Sequence, residues 1–260
     1  MNNSISAKYC KDFPSKQTAV DIFSGLWKSS FPAGSGVSAG QAKNFEDARV
    51  HWANGRIGGF SGKSVLELGP YEAYNTWQFS EYGASPITAV EGNSINYLKC
   101  LVAKETLKIN ARFLFGDILS YLLNTDASVD ICWASGVLYH QVNPLQLLDG
   151  IGRVCRTAFI WTHFYDDMIE RNLGAYPHFD PLQVSTITHN GFAARHVARS
   201  YRMSHVPTFF SGGSEPYANW LLKDEIFEYL NKIGFKNIEL RNVNLEHKAG
   251  PCMSFLATKD

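Results

Sequence analysis

Short apolar runs recur along the chain, each ending in a polar turn, with segments of helical period between them. Val65, Leu66 and Leu68 form the first run, broken by Gly69-Pro70, and Ile87-Thr-Ala-Val-Glu91 forms the second. Ala111-Arg-Phe-Leu-Phe115, closed by Gly116-Asp117, is the third. Val129-Asp-Ile-Cys-Trp-Ala134, closed by Ser135-Gly136, is the fourth, and Thr157 to Phe164 the fifth. Such runs read as strands buried on both faces, and helices at this spacing imply a parallel sheet. The intervening helices are read over 74–82, after Ser94 with Ile95, Leu98, Leu101 and Val102 repeating at three and four, and over 144–155 behind Asn143-Pro144. Lys223 to Ile233, stopped by Gly234, is a further helix. Phe235 to Val243 and Cys252 to Ala257 then close the sheet as a hairpin with an antiparallel last strand.

Two stretches lie outside this alternation. Residues 1–42 form an arm whose Val20 to Pro32 is too aromatic for a disordered tail. Packing is the first reading of Trp27 and Trp52, and a lid containing Trp27 and Lys28 the second. A helix over Asn44 to Arg56, with Glu46 and Asp47 in its first turn, lies on the sheet and ends at Gly58-Gly59. Residues 166–222 are an insertion with a hairpin at Asn190-Gly191, and their Phe192, Phe209, Phe210, Tyr217 and Trp220 indicate a folded cover. The expected architecture is an α/β, Rossmann-like, doubly wound seven-stranded sheet. Residues 43–165 and 223–260 make it, and the insertion covers an acceptor site.

At 260 residues the chain can bury a full core. A formal net charge of zero gives no global field toward a polyanion. No apolar run reaches the ~18 residues of a membrane span and no signal-peptide core is seen, so a cytoplasmic location is expected. Five scattered cysteines without C-x-x-C indicate neither a disulfide framework nor a zinc site.

The chemistry is concentrated at strand ends. A ligand of an open α/β sheet sits beyond the carboxyl ends of its strands, which puts Glu67 and Gly69 at a crevice. Glu91, at the tip of the second strand, sits where a carboxylate can accept from both hydroxyls of a ribose. Gly69 is the single glycine of the first loop, and Pro70, Tyr71 and Ala73 replace the G-x-G-x-x-G that brings a pyrophosphate close to the backbone. An acid there repels phosphate and suits the positive S-adenosylmethionine.

With these features the chain resembles class I S-adenosylmethionine-dependent methyltransferases over about residues 60–165 and 223–260. The resemblance implies that Glu67 and Gly69 border the methionine part. It gives Glu91 the ribose and Asp117 the adenine amino group, and puts Ser135 near the sulfonium. Asn93 and Ile118, beside Glu91 and Asp117, join the cofactor set. Ser135-Gly-Val-Leu-Tyr-His-Gln-Val-Asn-Pro144 is similar to the G-V-L-Y-H stretch of the tRNA uridine carboxymethyltransferases, where the tyrosine matching Tyr139 helps bind a carboxylated cofactor. Segments 21–28 and 209–220 look like those of bacterial methyltransferases without assigned substrates.

Methyl transfer then requires alignment and, for a protonated acceptor, a base. His140 is the candidate base, with Tyr139, His163 and Tyr165 as further catalytic candidates; each also has a structural reading as a turn or core residue. Arg195, His196, Arg199, Arg202 and His205 form a short basic run. It is read either as a solvated face paired with Asp166, Asp167 and Glu170, or as a phosphate-binding strip for tRNA. A small-molecule acceptor, transfer to a tRNA base and a non-catalytic adenosyl-binding module are the three functions carried forward.

Overall fold

The computed structural model describes residues 10–171, 176, 178–201, 213 and 215–260, with backbone alone for 180–183. Arg202, His205, Phe209 and Phe210 of the sequence reading lie outside the described residues.

Seven strands form one sheet: β1 Val65–Leu68, β2 Ile87–Glu91, β3 Arg112–Phe115, β4 Val129–Ser135, β5 Cys155–His163, β9 Phe235–Asn244 and β10 Cys252–Lys259. Their order is β3-β2-β1-β4-β5-β10-β9. The first five are parallel, and β10 lies antiparallel between β5 and β9. This is the doubly wound, Rossmann-like sheet expected. Its order reverses at β1 and β4, so the loops after these strands open the crevice.

Alternation along β1 sends Leu66 and Leu68 into a core shared with Ile151 and Leu148 of α6 (Pro144–Val154) and with Tyr229 and Leu230 of α8 (Lys223–Lys232). Val65 and Glu67 face the other layer, built from the arm, α2 (Ala48–Arg56) and α3 (Tyr74–Glu81). In that layer Trp133 stacks on Phe159, ring centroids 3.7 Å apart, and Phe79 packs edge-on to Trp133.

Local chemistry corrects four sequence expectations. Asp47 is not inside the first turn of the 44–56 helix but caps it, accepting from Arg49 N at 2.9 Å, behind a 3₁₀ turn over Asn44–Glu46. Asn93, not Ser94, caps α4 (Ser94–Leu107), its side chain accepting from Asn96 N at 3.0 Å. The buried face of α4 is Asn96, Lys99, Cys100, Ala103 and Thr106, while Ile95 and Leu98 are exposed. The α4 face turned inward meets a buried carboxylate, so its stripe is polar and small. Asn143 precedes α6 as expected but makes no side-chain cap; Pro144 occupies the first turn. A helix that the sequence left unassigned, α5 (Ile118–Asn124), starts at Asp117, which accepts from Ser120 N at 2.6 Å.

The arm packs, as its aromatic content required. After a short helix, α1 (Lys16–Val20), Phe23, Trp27 and Phe31 are buried, and Trp27 Nε1 donates to Val20 O at 2.9 Å.

The insertion contains a short helix, α7 (Asp167–Arg171), and a second sheet of order β6-β7-β8, from Phe179–His189, Phe192–Ser200 and Tyr217–Leu221. Asn190 and Gly191 make the tight turn of its hairpin with φ of 48° and 69°, the positive pair that selects this dipeptide. Tyr165 N donates to Leu221 O at 2.9 Å, so the two stems of the insertion meet where they leave the main sheet. The small sheet is anchored on the carboxyl edge of the main one. Asn219 N donates to Gln141 O at 2.9 Å and its Nδ2 to Val142 O at 2.7 Å, just after β4. Gly213 lies so close to the His140 carbonyl that any side chain there would collide with it.

Candidate active site

At the switch point, the loop after β1 carries three residues with positive φ: Gly69 (69°), Tyr71 (58°) and Ala73 (61°). Glycine occupies the first alone, so Tyr71 and Ala73 hold a conformation that is costly for residues with a Cβ. Glu91 fastens this loop. Its Oε2 accepts from Tyr71 N at 3.0 Å and its Oε1 from Asn93 N at 2.8 Å. Burial raises the Glu91 carboxyl pKa, and the backbone N–H groups of Asn93, Tyr71 and Gly92 oppose the shift, as does the Lys99 charge. Each oxygen keeps a lone pair for a further donor. A Cβ on Gly69 would meet Val137 at 3.1 Å and Ile118 at 3.9 Å, so the loops after β1, β3 and β4 converge on one spot. A cavity of about 400 Å³ runs along α5 from the end of β3, lined by Gly116, Asp117, Ser120, Tyr121, Asn124 and Thr125.

Glu67 sits lower. Alternation turns it under α3, where its carboxyl accepts from Thr76 Oγ1, and burial pushes its pKa up to about 8, with the Thr76 bond opposing and the Glu91 charge adding. A larger depression, about 840 Å³, lies at the opposite edge between Lys63, Asp130, Arg156 and Glu239. Its cations are already engaged: Lys63 by the Gly59 carbonyl, Arg156 by Asp260 O and Arg56 by Glu239. The strand-end chemistry is at the carboxyl edge, so the smaller cavity is the relevant one.

On the far side of β4, the turn Leu138–His140 gathers rings. Tyr139 packs 4.6 Å from His163, 5.7 Å from Trp161 and 5.8 Å from Trp220, centroid to centroid. Trp220, from the insertion, stacks on His163 at 4.9 Å. His163 Nδ1 faces the carbonyls of Gly250 (2.8 Å) and Pro251 (3.1 Å), which only accept, so the proton is on Nδ1 and Nε2 carries a lone pair. Burial lowers the His163 pKa to about 4 and that of His140 to about 3, where Arg199 and His163 add to the effect. Both rings are neutral at pH 7. His140 Nδ1 bonds Tyr201 OH, at the end of β7. Burial pushes Tyr139 above its ordinary range as well. Trp220 Nε1 and Tyr165 OH are buried without a partner.

Tyr139, His140 and His163 therefore come together, and Tyr165 joins them through Trp220 in a common buried cluster. Trp27 and Lys28 do not. Trp27 packs on Phe23 and Phe31, and Lys28 offers its backbone N–H to Glu72 Oε1 at 3.0 Å while its side chain is exposed. Ser135 ends β4, pairing in register with Trp161. In the basic run, Arg195 is held by Glu225 at 2.6 Å, not by Asp166, Asp167 or Glu170, and Arg199 lies over Tyr201 and Trp220.

Sequence reasoning missed two groups. Glu72 is fully buried, ion-paired to Lys99 at 2.7 Å and bonded by Lys28 N and Ser29 N, which ties the arm to the β1 loop and α4. Lys99 also lies over the Tyr71 ring at 4.8 Å. Arg49, held by Asp47 at 2.6 Å, lies 5.2 Å from the Trp161 ring. Nothing in the periodicity of α4 signalled the first, since its apolar residues repeat at three and four on the face away from Lys99.

No family model and no curated protein matches the sequence. Solved structures do resemble the fold. The N-terminal domain of EvdMO1, crystallised in the presence of SAH and D-fucose, superposes with a TM-score of 0.71 at 18% identity, over 94% of this chain and 95% of that one. Magnesium protoporphyrin IX methyltransferase (ChlM) from Synechocystis PCC 6803, with bound SAH, gives 0.53 at 12%, over 82% and 81%. The Burkholderia thailandensis 1,6-didemethyltoxoflavin-N1-methyltransferase, with its substrate and S-adenosylhomocysteine, gives 0.51 at 14%, over 84% and 78%. At these identities the likeness establishes the Rossmann-like α/β fold alone, and no helix among the described residues is long and apolar enough to cross a membrane.

Proposed function

We propose that the protein is an S-adenosylmethionine-dependent methyltransferase acting on a small molecule. One observation carries the reading: the Glu91 carboxylate, pinned by Tyr71 N and Asn93 N at the tip of β2, with Asp117 following the neighbouring strand β3. Its outward lone pairs accept the two ribose hydroxyls, and the Asp117 oxygen not used in capping accepts the adenine amino group. Gly69 and Ile118 line the passage between them, Asn93 holds the second loop, and Ser135 edges the side toward the methyl group. Tyr71 stands where a dinucleotide loop needs glycine, and its side chain keeps a pyrophosphate from the backbone. Structures of the same fold with bound SAH support the assignment.

The cofactor supplies the methyl group, and the chain aligns the acceptor for in-line displacement. Tyr139, Trp161 and Trp220 make an aromatic wall, with His140 and His163 as neutral polar groups and residues 166–222 as its cover. A histidine protonating near pH 3 is a weak proton acceptor at neutral pH, so His140 orients the acceptor and does not deprotonate an ordinary alcohol. The engagement of Arg195 by Glu225 and of Arg199 by Trp220 favours a small acceptor over RNA.

Titration calorimetry tests the reading. S-adenosylhomocysteine should bind the purified protein more tightly than NAD, and the reverse order would overturn the assignment. Retention on immobilised RNA with a steep salt dependence would overturn the small-acceptor half of it.

A further inference from the structure

The carboxyl end of β5 carries a second arrangement, which shares His163 with the proposed acceptor wall and adds two residues that wall does not contain. Cys252 at the start of β10 pairs in register with His163 at the end of β5, and His247 reaches the same point from the turn between β9 and β10. One ligand atom from each lies within 4.8 Å of the others. His163 and Cys252 are buried and His247 is half-buried, which leaves an approach from solvent along the turn.

We propose that His163, His247 and Cys252 bind a borderline divalent transition-metal ion, zinc above all, with one coordination position left open. Two imidazoles and a thiol are the donors of zinc sites, whereas magnesium and calcium select oxygen. His163 is already set for the task. The Gly250 and Pro251 carbonyls fix its proton on Nδ1 and leave Nε2 as the lone-pair nitrogen, the outer-shell pattern of metal-bound histidines. Its ring is also held on Trp220 and against Tyr139.

Burial keeps the free Cys252 thiol protonated, with Trp161 and the Arg49 cation opposing it. A bound ion overcomes the effect of burial, because a coordinated thiol loses its proton. Bonds of about 2.0–2.3 Å place tetrahedral ligand atoms about 3.3–3.7 Å apart, so the site must contract by about 1 Å. The turn can supply it, since Glu246, Lys248 and Ala249 are exposed and the contact from Ala249 N to His247 Nδ1 is a long 3.2 Å. Tyr139 packs against the His163 ring, so the ion would stand at the acceptor side of the proposed active site. The metal site itself does not depend on that activity.

The test is a titration of tag-free, full-chain protein with Co²⁺, followed by Zn²⁺. The expected result is a single equivalent of Co²⁺ with a thiolate charge-transfer band, displaced by Zn²⁺. Cys252→Ser should abolish the band, and His247→Ala should weaken binding about tenfold or more. Absence of the band in the parent protein, or its survival in Cys252→Ser, overturns the proposal. Should Cys252→Ser fail to fold by circular dichroism, His247→Ala in the exposed turn decides, and unchanged Co²⁺ affinity there overturns it. S-adenosylhomocysteine calorimetry on the same samples separates failure here from failure of the methyltransferase reading.

Discussion

The backbone N–H of Tyr71 donates to Glu91 Oε2 at 3.0 Å, so the carboxylate ending the second strand restrains the loop that follows the first. Cofactor contact and loop geometry depend on one side chain. Glu91→Ala should lower S-adenosylhomocysteine affinity by about 1.5–3 kcal/mol, the scale of hydrogen bonds to a charged group. Calorimetry checks this, and an unchanged dissociation constant would remove Glu91 from the ribose.

The buried pair of Glu72 and Lys99 makes a prediction about stability. Lys99→Met leaves the carboxylate uncompensated among apolar neighbours and should cost about 3–5 kcal/mol. Adding Glu72→Gln should recover part of that, because the amide oxygen can still accept from one of Lys28 N and Ser29 N without a buried charge. Urea unfolding of the single and double variants measures the difference; equal losses would show that the pair does not couple.

Glu67 predicts a pH dependence. Its folded pKa, about 8, is raised above an unfolded value near 4.3. An acid so raised contributes stability that is full below the unfolded value and is lost as pH climbs through the folded one. Unfolding free energy should therefore fall by a few kcal/mol between about pH 4 and pH 8 on account of this group. Glu67→Gln, which can still accept from Thr76, should flatten that part of the profile. Identical slopes for parent and variant in urea titrations across this window would refute it.

Asn219 fastens the small sheet to the turn after β4. Asn219→Ala removes the donor to Val142 O and should cost about 1–3 kcal/mol, concentrated in the insertion. Hydrogen exchange should speed up in β7 and β8 while β1 and β4 stay protected. Uniform loosening of both sheets would contradict a separately anchored cover.

The main strands were legible because β1 and most of β4 are buried on both faces, leaving nearly continuous apolar runs. Asn190-Gly191 was legible because few other pairs adopt two positive φ values in succession. The face of α4 was not. Its buried stripe exists to meet Glu72, 27 positions before Lys99, and periodicity carries no information about a charge supplied by a distant loop. In the candidate site, Glu91 and Asp117 could be found as strand-end acids, and Tyr139 and His140 from their motif. Trp161, Arg49 and the His163, His247, Cys252 group could not, since only the pairing of β5 with β10 brings 163 beside 252.

The bond from Tyr165 to Leu221 closes the neck of the insertion, while Asn219 holds its sheet to the turn after β4 and Arg195 holds it to α8. The neck returns the chain to α8 in place. Changes of length in exposed parts of the segment therefore leave β5 and α8 where they are, provided these anchors are kept. Among proteins sharing this sheet, divergence should then concentrate between 166 and 221 while the strand-end loops stay under restraint.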